Sequence, residues 1–166
     1  MSMDPGCIGS LIERIEAEFP EHESPGWDEV LYEGHYKNDP ELEEIRQFFA
    51  GRSWRTVTPQ DVFRFRHALS FFSAKAFVYF TPAWMRCCLL DVEAVDTAVD
   101  DLVWDLERKD PELWSEGQRR TICEWLRVMD RWNTEHWESA LFRASLLRAA
   151  RKLGCRCMKS SGNATS

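Results

Sequence analysis

The chain has 166 residues, 44% hydrophobic and 30% charged. That is the balance of one globular domain, and it leaves no room for a second catalytic domain and no case for a disordered chain. Twenty-one basic residues against 28 acidic ones give a net charge of −7, so phosphate backbones and anionic lipid repel the chain as a whole and nonspecific nucleic-acid binding is disfavoured. The longest uncharged stretch, Ala76 to Met85, has ten residues, whereas a bilayer-crossing helix needs ~20.

Asp4-Pro5 offers a helix cap with proline in the first turn, and Ile8, Leu11, Ile12, Ile15 and Phe19 recur at helical spacing until Pro20. A long acidic loop containing Pro25-Gly26-Trp27 follows, to Asn38. Asp39-Pro40 opens a second helix with the stripe Leu42, Ile45, Phe48 and Phe49, closed by Gly51, and Thr58-Pro59 opens a third with Val62, Phe63 and Leu69 inside. Ser73 caps a fourth helix, Ala74 to Leu90, which Pro82 should kink or split near Thr81 and which is expected at the centre of the core.

Val92, Val95, Val99, Leu102 and Val103 predict a fifth helix that ends before Asp110-Pro111. Ser115 to Gln118 is a capping box ahead of Ile122, Trp125, Leu126, Met129 and Trp132. Asn133 or Thr134 is expected to cap a last helix running to Gly154, with an unbroken helix across residue 133 as the alternative. The only strand-like stretches, 30–32 and 77–80, are short. The expectation is therefore an all-α fold, one compact helical domain of about six or seven helices over residues 1–154, with a disordered tail at 155–166.

The first twenty positions carry Asp4, Glu13, Glu16 and Glu18 and lack the basic start and apolar run of an export signal, so a cytoplasmic location is expected. In that compartment the cysteines at 7, 87, 88, 123, 155 and 157 should be free thiols. Cys87 and Cys88, in an apolar helical stretch, are expected as core filler. Cys155 and Cys157, beside Arg156 and Lys159, are half of a metal or redox site in one reading and part of a solvated tail in the preferred one.

Charge is segregated along the chain. Residues 1–45 hold thirteen acids and two bases, residues 46–138 fifteen and thirteen, and residues 139–166 six bases and no acid. Attraction between the two ends inside one fold is the simpler explanation, and a bipolar surface offered to a cationic partner the alternative. On the fifth helix Glu93, Asp96 and Asp100 fall at i, i+3 and i+7, and Asp101 and Asp105 lie four apart on the next stripe. Like charges at that spacing cost a few tenths of a kcal/mol per pair in a lone helix. Such a face is solvated, binds a partner, or gathers carboxylates for metal or catalysis, but no Glu-x-x-His or His-x-x-x-His spacing supports the last.

Glycine-rich phosphate loops and a Gly-x-Ser-x-Gly elbow are absent, and His22, His35, His67 and His136 leave a cysteine–histidine pair open without supporting it. No cofactor is expected. Of eight tryptophans, Trp84, Trp125 and Trp132 lie on apolar stripes and should be core. Trp27 has no helix face of its own, so it either folds back onto the bundle or is an exposed interface anchor.

The stretch Leu69-Ser-Phe-Phe-Ser-Ala-Lys-Ala-Phe77-Val-Tyr79-Phe-Thr-Pro82-Ala-Trp84-Met resembles the central motif of a bacterial domain-of-unknown-function family. That family has a Leu-Ser-Phe-Leu-type lead followed by roughly Ala-Phe-x-Tyr-x-x-Pro-Ala-Tyr. Glu43 to Trp54 and Ser115 to Gln118 look like its flanking elements, so the likeness spans about residues 40–130. Ala74 stands where proline is more usual and Trp84 where tyrosine is, and the basic last helix is outside the likeness. The resemblance implies a small helical bacterial cytosolic domain, no known catalysis and no site residues.

The resulting expectation is a protein-binding inhibitor rather than an enzyme, most concretely an immunity protein or antitoxin that occludes the active site of a cationic toxin. Glu93, Asp96, Asp100, Asp101 and Asp105 would form the charged rim and Trp27 the anchor. The alternative is a metal-dependent or thiol enzyme using the acidic helix 92–106. A third reading, nucleic-acid binding through Arg143, Arg148, Arg151, Lys152 and Arg156, is opposed by the global charge.

Overall fold

The computed structural model describes residues 4–34, 38–156 and 158, and eight α-helices occur among them. They are α1 (Pro5–Glu18), α2 (Pro40–Phe49), α3 (Pro59–Arg64), α4 (Ala74–Leu90), α5 (Val92–Val95), α6 (Ala98–Arg108), α7 (Glu116–Trp132) and α8 (Ala140–Lys152). The described residues form no strand, only an isolated antiparallel bridge between Leu31 and Phe72. Position 35 and positions 157 and 163, which bear on the histidine, cysteine and tail readings, lie outside the described residues.

Local chemistry starts most helices. Asp4, Asp39, Thr58 and Ser73 accept from backbone N–H groups one turn on, with proline behind the first three, and Ser115 and Gln118 close the expected capping box. α4 is buried over most of its surface, from Ala76 and Phe77 to Cys88 and Leu89, leaving Lys75, Val78, Tyr79 and Arg86 along a partly exposed stripe, and packs against α1, α3, α5 and α6. It runs unbroken through Pro82: the proline withdraws the bond to the Val78 carbonyl, while the Thr81 hydroxyl donates to the Phe77 carbonyl at 2.7 Å.

Around α4 the core is aromatic. The Phe49 ring lies 4.8 to 5.9 Å from those of Phe48, Phe65, Phe72, Phe80 and Trp84, mostly edge to face. Trp84 and Trp125 are fully buried as expected, and Trp54 and Trp114 join them, whereas Trp132 is half-buried. Phe63, assigned to the interior by its spacing, is exposed, whereas Val62 and Leu69 are buried as expected, Leu69 from a 3-10 turn (Ala68–Phe71) beyond the end of α3.

Three further expectations are corrected. First, the fifth helix is two: Asp96 adopts φ 48, ψ −126 and separates α5 from α6. Second, the last helix is capped by Ser139, not by Asn133 or Thr134. The chain leaves α7 through a π turn (Asn133–Trp137) and left-handed Glu138, and the buried Asn133 amide clamps Ser139, donating to its carbonyl at 3.0 Å and accepting from its N–H at 3.1 Å.

Third, Cys123 and Cys155 are not free thiols. They form a disulfide with Cα atoms 5.6 Å apart, and Cys155 and Met158, placed in the tail by sequence, pack on the core. The packing of α8 on α7 is what brings together two cysteines 32 residues apart.

The charge segments are bridged through the middle of the chain. Acids of the first 45 residues meet Arg55, Arg64, Lys75 and Arg86, while Arg143 meets Asp130 at 3.4 Å and Arg148 meets Glu107 at 2.6 Å. No ion pair among the described residues joins the two ends directly.

Candidate functional site

The break between α5 and α6 determines where the acidic residues go. Asp91 caps α5 by accepting from the Ala94 N–H at 3.0 Å, and five residues later Asp96 turns the chain in a backbone conformation normally left to glycine. Val92, Val95, Val99, Leu102 and Val103 still face the core, so the break redirects the polar face without exposing the valines.

The five predicted carboxylates part company there. Glu93, Asp96 and Asp100 are exposed and line a hollow of about 390 Å³ whose far wall is Trp137, Ser139 and Phe142. Trp137 stands edge to face with Phe142 at 5.5 Å and is 40% exposed; the Asn133–Ser139 clamp sets its place. No ion pair among the described residues neutralises the three acids. The Asp100 carboxyl is raised from its ordinary value, first because the surrounding protein partly shields it from water although the residue is exposed, and then by Asp101 and Asp96.

Asp101 and Asp105 turn the other way, toward the segment between α3 and α4. Asp101 lies 3.2 Å from His67 Nδ1; burial pushes its carboxyl up, and His67 and Arg66 pull it back. Asp105 is buried, and its Oδ2 accepts from the Ser70 hydroxyl at 3.4 Å. Burial raises its carboxyl to about 6 against the pull of Lys109, Ser70 and Arg108, with Asp101 adding to the rise. The pair therefore ties α6 to that segment and takes no part in the hollow.

Trp27 does not line this hollow. It opens a 3-10 turn (Trp27–Glu29), 45% exposed, with the Arg46 guanidinium 5.3 Å from its ring centre. The aromatic groups that do stand with the acids are Trp137 and Phe142, which sequence reasoning missed. A spacing of five residues lies on no helical stripe, so nothing local marks the two as partners.

Fold and site together define an all-α domain with an acidic, aromatic-walled surface hollow. Residues 8–144 match the model of a family of unknown function, DUF6714, and the chain belongs to that family. The match is wider than the sequence-based likeness, starting inside α1, taking in the whole acidic hollow and ending inside α8, before Cys155. Neither a curated protein nor a solved structure matches the chain at a significant level. No helix among the described residues is long and apolar enough to cross a membrane.

Proposed function

We propose that this chain is a binding protein for a cationic protein partner, which it engages through Glu93, Asp96 and Asp100 with Trp137 as the apolar wall. Carboxylates beside an aromatic face suit an incoming lysine or arginine, which gains both ion pairing and cation–π attraction there. The finer reading is an immunity protein or antitoxin whose partner is a bacterial toxin working on an anionic substrate: such an active site is cationic, and the acids would occlude it.

The observation that carries the reading is Asp96. A charged residue held where glycine is easier, on the lip of a hollow with two other unpaired acids, keeps its carboxylate at the expense of stability. The metal alternative gains nothing from the geometry, since no three or more His, Cys, Asp or Glu side chains among the described residues are grouped to hold an ion. For a thiol enzyme, Cys87 is pushed up to about 12 by burial and Cys88 is raised as well, the reverse of nucleophile activation.

The test is to purify the tagged chain from its native cells at low salt, identify the proteins held, and titrate each against wild type and the triple variant Glu93→Gln, Asp96→Asn, Asp100→Asn. The expected result is a basic partner whose affinity falls at least about tenfold in the variant and whose own activity is suppressed only by wild type. A partner bound equally by both proteins, an acidic partner, or none at all contradicts the reading. Asp101 is left intact because its contact with His67 makes it part of the fold.

A further inference from the structure

The second polar hollow has the opposite charge and a different chemistry. On one face of α7, Arg119, Arg120 and Arg127 stand four, three and four residues from Cys123, and Arg156 follows Cys155. Together they surround a pocket of about 620 Å³ with the disulfide in its wall, within the range of small-molecule sites. We propose that this pocket is a thiol–disulfide exchange site for a small anionic thiol.

Four arginines meet two glutamates here, and the glutamates are already engaged, Glu116 with Arg120 at 3.6 Å and Glu124 with Arg14 of α1. Arg119 is held loosely, 3.6 Å from Glu112, while Arg127 and Arg156 make no ion pair with any described residue. In a chain of net charge −7 this is a local positive field, which concentrates an anion.

The two sulfurs are unequal. Cys155 is half-buried and therefore reachable, whereas Cys123 is 6% exposed. Cys155 is also held in place from its own side. The end of α8 is a Schellman turn in which the Cys155 N–H reaches the Ala150 carbonyl at 2.9 Å and the Gly154 N–H the Arg151 carbonyl at 3.1 Å, with Gly154 at φ 74. Leu153 is buried beside it. These contacts do not depend on the sulfur–sulfur bond, so the thiols stay adjacent after reduction and the step is reversible.

The chemistry balances as follows. The incoming thiolate attacks Cys155 Sγ, a new sulfur–sulfur bond forms there, and the Cys155–Cys123 bond breaks with its electron pair leaving on Cys123 Sγ. The neighbouring guanidinium groups stabilise that leaving thiolate. A second small thiolate attacks the external sulfur of the mixed disulfide and releases Cys155 as a thiolate. Two small thiols leave as their disulfide, and the two protons lost on forming their thiolates go to the cysteines. The buried thiols of Cys87 and Cys88, raised by their surroundings, stand outside this reaction.

The test uses the full chain with three thiols as probes: glutathione, which is anionic, 2-mercaptoethanol, which is neutral, and cysteamine, which is cationic. Loss of the Cys123–Cys155 bond is followed by alkylation and mass spectrometry, with rates corrected for each thiol's basicity. The expected result at low salt is that glutathione reacts about tenfold faster than cysteamine, the difference closing at about 0.5 M salt and in the Arg127→Gln, Arg156→Gln double variant. Rates ordered by thiol basicity alone and equal in the double variant would overturn the proposal. So would reduction achieved only by a protein dithiol, or free Cys123 and Cys155 in protein purified without reductant.

Discussion

Two polar hollows among the described residues are built on opposite principles. The acidic one, between α5, α6 and the π turn, is held without covalent bonds: a glycine-like turn at Asp96 and the buried Asn133 side-chain amide clamped to Ser139. The basic one, between α7 and the end of α8, has a covalent bond across it in addition to the packing at the end of α8. A noncovalent support leaves charges unpaired at a steady conformational cost, whereas a covalent one can be opened by chemistry. That difference is why we assign binding to the first and exchange to the second.

The two supports differ most in what their removal costs. Replacing Cys123 and Cys155 by serine, or reducing them, removes a cross-link between residues 32 apart and should lower unfolding stability by about 3 to 4 kcal/mol. Urea unfolding with and without reductant measures it, and the serine variant should no longer respond to reductant. On the acidic side, Asn133→Ala leaves the Ser139 N–H and carbonyl without their buried partner and should cost about 2 to 3 kcal/mol. It should also increase the solvent exposure of Trp137, readable by fluorescence quenching.

Asp105 sharpens the contrast through pH. Its folded carboxyl sits near 6 against an ordinary 3.8, so between those values the folded state holds a proton that the unfolded chain has lost. Stability from this group is full below about pH 4, falls as pH rises to about 6 and stays lower above it. Asp105→Asn should therefore be more stable than wild type by about 2 kcal/mol at pH 7, the gain fading on acidification to pH 4, as paired denaturation curves would show.

Smaller effects separate function from folding. Asp96→Gly should relieve a strained turn and raise stability by about 1 kcal/mol while weakening the cationic partner, a trade visible by comparing melting with titration. Arg127→Gln, an exposed change, should move stability by less than about 0.5 kcal/mol yet slow reaction with glutathione.

Much of the scaffold was legible because its signals are local. Asp4, Asp39, Thr58, Ser73 and Ser115 each satisfy N–H groups within their own first turn, and the valines of α5 and α6 carry their burial in their spacing. The failures come where distant segments decide. Ser139 is the cap of α8 because Asn133 turns back to clamp it, and nothing local marks Asn133 as a clamp and not a cap. The break at Asp96 interrupts a periodicity that reads straight through it. The disulfide depends on the docking of α8, and the grouping of Trp137 with Glu93 and Asp100, while Trp27 sits over Arg46, is likewise a tertiary outcome.

The most direct measurement is the association rate of the cationic partner with three proteins at low salt: wild type, the Glu93→Gln, Asp96→Asn, Asp100→Asn variant, and the Arg127→Gln, Arg156→Gln variant. If the acidic hollow is the docking site, the first variant associates at least about tenfold more slowly and the second no more slowly than wild type. Equal slowing in both, or none in the acidic variant, would contradict the account.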